Sequence, residues 1–94
     1  MSESPAEPTA DQLAEELRKA SVPDVLSYQC SLLASLAYGK LDPQVRDLDQ
    51  ARLAIEGLRA LQPLLAADPA ATIRHVVADL QLRFAEAATP PAEA

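Results

Sequence analysis

Apolar positions along the chain recur every three or four residues, and the densest stretch is Val22 to Tyr38, VPDVLSYQCSLLASLAY. Set at about 100° per residue, Val22, Val25, Leu26, Cys30, Leu32, Leu33, Leu36 and Ala37 fall in one arc roughly 160° wide. This pattern predicts a fully packed helix around which the rest of the chain is organised. Ser21 is placed to cap its start, and Pro23 occupies the first turn, where a missing N–H costs nothing. Asp24 suits the positive end of the helix dipole. Gly39 reads as the residue just past the helix end. Gln29 lies inside the apolar arc, where an unpartnered polar side chain costs roughly 1–3 kcal/mol. It either bonds a nearby backbone group or water, or meets its own copy across a two-fold axis and fixes register. Ser27, Ser31 and Ser35, flanked by Tyr28 and Tyr38, form the opposite side. They read as a solvated face or as a small-residue strip that admits a second helix backbone.

Two more long helices are expected. From an Asp47 N-cap with Gln50 three residues on, Leu48, Ala51, Ile55, Leu58 and Leu65 mark a stripe, and Pro63 should end or kink this helix near Gln62. Leu53 and Leu64 fall outside the stripe, as does Gly57, which predicts a second neighbour on that side. Arg52, Glu56 and Arg59 share the other side at pairing distance. Asp68-Pro69 reads as N-cap and first helical residue of the last helix, whose stripe is Ile73, Val76, Val77, Leu80, Phe84 and Ala87; Thr89-Pro90-Pro91 ends it. Before the central helix, Thr9 and Gln12 make a capping box for a short segment, Asp11 to Ala20, with Leu13 and Leu17 four apart. At that length a helix is marginal alone and either docks through those leucines or frays. β-branched residues are few and never alternate, so no strand is expected.

The expected fold is therefore all-α. It is an up-down-up three-helix bundle with a short N-terminal helical segment, forming one domain over 11–88 with its core in 22–88. Disordered tails are expected at 1–10 and 89–94. Ninety-four residues allow no more than one domain. The net charge of −6 and only two lysines, Lys19 and Lys40, argue against nucleic acid. No apolar run reaches membrane-spanning length and no secretory leader is visible, so a cytoplasmic protein with no membrane role is expected.

Candidate chemistry is sparse. His75 and Asp79 are one turn apart and read as a pair on an exposed face; a metal needs three or four ligands and a triad needs a nucleophile. Cys30, the single cysteine, reads as a buried inert thiol. Asp42, Asp47 and Asp49 crowd one connection without the alternating ligands and glycine turn of a calcium loop, and capping accounts for Asp47 and Asp49. The two glycines, Gly39 and Gly57, make no phosphate loop. The expectation is a protein that is not an enzyme and takes no cofactor.

Asp47 to Leu61, DLDQARLAIEGLRAL, and Leu80 to Phe84, LQLRF, resemble the bacterial domain-of-unknown-function family numbered 1844. The matching positions are Asp47, Leu48, Ala51, Arg52, Ile55, Glu56 and Leu58, then Leu80, Leu82 and Phe84. The similarity in plan spans Val22 to about Ala88. This chain departs from it at Pro63 to Pro69, where many members carry a Lys/Gly/Thr-rich turn. The resemblance implies a small all-α cytosolic protein with no assigned activity, and it transfers no catalytic residue. Abundant Ala and an excess of Arg over Lys fit a GC-rich bacterial genome.

A core of this size is marginal, and the apolar arc of the central helix exceeds what the chain can cover. Self-association as a two-fold dimer is the first expectation. Its interface residues would be Val22, Val25, Leu26, Gln29, Leu32, Leu33, Leu36, Leu53 and Leu64. Two alternatives use the same surplus. One is an adaptor whose apolar groove takes an amphipathic helix of another protein; the other is a carrier of a small apolar ligand.

Overall fold

The computed structural model describes residues 9–89. Among them are four α-helices, a single 3-10 turn and no strand: α1 Ala10–Lys19, α2 Val22–Lys40, α3 Leu48–Leu61, the turn Gln62–Leu64, and α4 Ala67–Ala88. The tails expected at the two ends fall largely outside the described residues. Thr9 and Ala10 already belong to the start of α1, and Thr89 is the C-cap of α4.

The core forms where the stripes of α2, α3 and α4 meet. Its buried residues are Cys30 and Ala37 of α2, Ala51, Ala54, Ile55 and Leu58 of α3, and Ile73, Val77 and Leu80 of α4, closed by Leu41 and Leu65 in the connections. α3 packs on both of the other long helices, and its main partner is α2. The hub is therefore α3, not the central apolar stretch. At one point of the contact between α2 and α3 a glycine leaves room for a large side chain. A Cβ on Gly57 would stand 3.3 Å from Leu33 Cδ1. Gly57 thus faces α2, and a leucine side chain, rather than another backbone, occupies the space it leaves. Arg52, near the start of α3, lies 5.5 Å from the centre of the Phe84 ring late in α4. Tyr38, near the end of α2, bonds Asp79 of α4. α2 and α4 therefore run one way and α3 the other.

Local chemistry sets most boundaries. The Ser21 side chain accepts from the Asp24 N–H, and the Asp47 side chain accepts from the Gln50 N–H. In the connection after α2, Asp42 accepts from the Gln44 N–H, the Asp47 N–H donates to the Lys40 carbonyl, and Arg46 donates twice to the Leu41 carbonyl. Turn formation and capping thus occupy Asp42 and Asp47. Pro63 stops α3 at Leu61 and converts the next residues to the 3-10 turn.

Two boundaries differ from expectation. α2 runs through Gly39 to Lys40 and is capped by Leu41 in right-handed helical geometry. Gly39 has no positive φ, and among the described residues nothing lies within 4 Å of the place its Cβ would take. The backbone continues straight into the turn at Asp42, so no left-handed residue is needed. α4 starts at Ala67 with Ala66 as N-cap and no side-chain cap. Asp68 and Pro69 sit inside the first turn, where free N–H groups make proline as acceptable as at the first position.

α1 carries the full capping box: Gln12 N–H to Thr9 Oγ1 at 3.1 Å and Thr9 N–H to Gln12 Oε1 at 2.9 Å. An ion pair between Arg18 and Glu15 joins its exposed side. It has no buried residue and contacts no other element; Leu13 and Leu17 are exposed.

Candidate interaction surface

The apolar arc of α2 divides lengthwise. One half turns inward: Cys30 and Ala37 are fully buried, and Leu26, Leu33 and Ala34 pack against the core. The other half faces out. Val22 is 68% exposed, Val25 43%, Leu32 44% and Leu36 46%, with Gln29 exposed among them. The expectation of a fully packed helix is therefore corrected, because a helix can press only a stripe of its surface on two neighbours. Of the nine residues expected at an interface, Leu26 and Leu33 are instead spent on the fold. Gln29 is wet and needs no partner within the chain.

The exposed row has an order that the arc alone did not reveal. Val22, Val25, Gln29, Leu32 and Leu36 are spaced three, four, three and four residues apart, the a/d repeat of a coiled-coil seam, with the polar residue in the middle. This spacing was present in the sequence. It was masked because the inward-facing Leu26, Leu33 and Ala37 interleave with it.

Two leucines off the α3 stripe are exposed as well, Leu53 at 64% and Leu64 at 63%. Since Leu33 rests on Gly57 and α3 runs opposite to α2, Leu53, one turn before Gly57, stands level with Leu36 and Ala37. The second neighbour expected on that side of α3 is α2, which meets it at Gly57 and leaves Leu53 and Leu64 exposed. At the end of the row, Leu32, Ser35, Leu36, Gly39, Lys40 and Val45 line a shallow groove of about 350 Å³. Val45 projects from the connection and is 67% exposed. It was missed at the sequence level because it stands alone in a polar loop.

The other face of the bundle carries a polar cluster. Tyr38 Oη donates to Asp79 Oδ2 at 2.6 Å, Arg83 Nε donates to the same oxygen at 2.8 Å, and the guanidinium stands 5.6 Å from the centre of the Tyr38 ring. His75 takes no part, so the expected His75–Asp79 pair gives way to a bond from α2. The hydrogen bond to Asp79 is the main cause that raises the Tyr38 hydroxyl above the usual tyrosine range, and burial adds to it. The bonds from Tyr38 and then Arg83 hold Asp79 below the usual carboxylate range. Arg83 is raised in turn, chiefly by its bond to Asp79. The stabilisation tied to Asp79 is thus present above the ordinary aspartate range and lost as pH falls through its lowered pKa. That tied to Tyr38 is full below the ordinary tyrosine range and lost as pH rises through its raised pKa. Tyr38→Phe should move the Asp79 carboxyl titration upward, but only part of the way, because Arg83 stays bonded. Carboxyl chemical shifts followed against pH by NMR would check this. A titration that does not move would mean that the tyrosine bond is not formed in solution.

Other candidate chemistry does not assemble. Cys30 is fully buried, and burial raises its thiol pKa, the reverse of what a nucleophile needs. Among the described residues Arg52, Glu56 and Arg59 form no ion pair; Arg52 lies over Phe84 instead. Among the described residues no group of three or more His, Cys, Asp or Glu side chains comes within reach of one metal ion, and no helix is long and apolar enough to cross a membrane. Comparison with protein-family models, curated proteins and solved structures gives no match to this chain.

Proposed function

We propose that the protein is a non-enzymatic helical interaction module whose copies pair as a homodimer through the outward seam of α2. The observation that carries this is the exposed row Val22, Val25, Gln29, Leu32 and Leu36 with coiled-coil spacing. Leu53 and Leu64 border the interface, and Leu26 and Leu33 back it from the core. Contiguous apolar surface is rarely left open on a monomer, and a seam of this spacing is the surface another helix packs on. In a two-fold pair the two Gln29 amides lie close to the axis and partner one another, which fixes register at some cost in stability. Within this reading the protein works in the cytoplasm without a cofactor, and its net charge of −6 suits neither nucleic acid nor an anionic membrane. Membership of the 1844 family belongs to the same proposal and adds no activity to it.

The test is solution mass by light scattering after size exclusion, over a dilution series, on the wild type and on Gln29→Leu. A dimer is expected for the wild type, with tighter association or a changed order in the variant. A monomer in both overturns the proposal. An amphipathic helix of another protein would then be the occupant to look for, or an apolar small molecule if one co-purifies.

A further inference from the structure

We infer that the groove between the end of α2 and the end of α4 binds a small organic monocarboxylate, with the carboxylate held by Arg46 and Arg83. The groove has a volume of about 470 Å³ and opens where the last turn of α2, the connection after it and the last turns of α4 meet. Tyr38, which lines it, follows Leu36 by two residues and so points to the opposite side of α2 from the outward seam. A ligand there needs no second copy of the chain and does not compete with one.

Arg46 carries the inference. Its Nε and Nη2 donate to the Leu41 carbonyl at 3.3 and 3.2 Å. One edge of the guanidinium is thus held on a neutral acceptor, and among the described residues Arg46 forms no ion pair. Asp42 lines the same groove, but its Oδ1 accepts from the Gln44 N–H. Arg83 approaches from α4. Its Nε is bonded to Asp79, and the guanidinium lies over the Tyr38 ring, so it too is held in place. Its Nη groups have no hydrogen-bond partner among the described residues. Two arginines from separate elements, each anchored through one edge, line one groove with N–H groups to spare. A planar carboxylate is the group that such forked donors fit. Anchoring beforehand also lowers the side-chain entropy lost on binding.

The rest of the lining sets the class of ligand. Leu41, Pro43 and Ala87, with the Tyr38 ring, offer an apolar wall to the body of the molecule. Asp42 and Glu86 border the same groove and repel further negative charge. A single carboxylate on an apolar body therefore fits, and a phosphate dianion does not. Exposed arginines in an open groove make a weak site, with a Kd on the order of 1 mM.

The test titrates benzoate into the full chain and follows backbone amides and arginine Nε–H signals by NMR. Saturable shifts are expected at Leu41, Asp42, Arg46, Arg83 and Ala87. Acetate, which lacks the apolar body, and inorganic phosphate should each bind several-fold more weakly. Arg46→Gln should weaken benzoate by roughly tenfold. That variant also frees the Leu41 carbonyl, so Glu86→Gln accompanies it. The Glu86 side chain is exposed and forms no ion pair among the described residues. Removing its charge should tighten benzoate by roughly two- to fivefold, a gain that damage to the fold does not produce. No saturation in the millimolar range, acetate or phosphate binding as well as benzoate, or an affinity unchanged in either variant overturns the assignment.

Discussion

Leu58→Ala should remove most of the stability of the fold. Leu58 is fully buried on the inner face of α3, the helix that touches both of the others. Truncating a buried leucine costs about 2–5 kcal/mol, the lost transfer energy plus the cavity left behind. The cost should lie in the middle of that range or above it. It shares the buried cluster with the short side chains of Ala51 and Ala54 and with Val77 and Leu80 of α4, so little bulk is at hand to collapse into the space. A small domain has only a few kcal/mol in hand, at roughly 0.05–0.15 kcal/mol per residue. A loss of about 3 kcal/mol lowers the melting temperature by about 10–25 °C in a domain of this size. Denaturant and thermal unfolding at fixed protein concentration would measure it. A shift of only a few degrees would mean that α3 is not the hub.

The helices and most of their limits were legible because caps and periodicity are local. Ser21, Asp47 and the Thr9–Gln12 box act on the N–H groups two or three residues away, and Pro63 acts on its own turn. The main stripes of α3 and α4 were legible for a related reason: each is narrow and regularly spaced. α2 was harder. Its apolar residues cover two adjoining stripes, and a pattern cannot say which stripe a neighbour will claim. The choice depends on side-chain size in three dimensions. Cys30 and Ala37, with Leu26, Leu33 and Ala34, went to the core, Leu33 into the space left by Gly57, and Val22, Leu32 and Leu36 were left outside. The excess of apolar surface was correctly foreseen, but its division between fold and surface was not. The Tyr38–Asp79 bond, spanning 41 residues, had no local signal, so the nearer His75 looked like the partner of Asp79. Gly39 failed for the opposite reason, since a glycine near a helix end is a strong cue that the continuing backbone overrode.

Leu32→Asp should separate the copies and leave the fold alone, the reverse of Leu58→Ala. Leu32 is already 44% exposed in the isolated chain and belongs to no buried cluster. Within the helix, aspartate in place of leucine costs about 0.5 kcal/mol, so far-UV circular dichroism and the melting of the monomer should barely change. In a two-fold dimer the same residue occurs twice in the middle of the seam. Two leucine side chains lose their burial, at about 1.5–3 kcal/mol each, and two carboxylates are brought beside apolar neighbours. A combined loss of about 3–6 kcal/mol raises the dimer Kd by roughly 10²–10⁴-fold, enough to give a monomer at ordinary working concentrations. Because association stabilises the folded form by mass action, the variant should also lose the dependence of melting temperature on protein concentration expected of the wild type. A variant that stays dimeric would place the interface elsewhere on the molecule. A variant that unfolds would show that Leu32 belongs to the core. Paired with Leu58→Ala, the experiment separates the two stripes of apolar residue that the chain carries, one that holds three helices together and one that is open to a second copy.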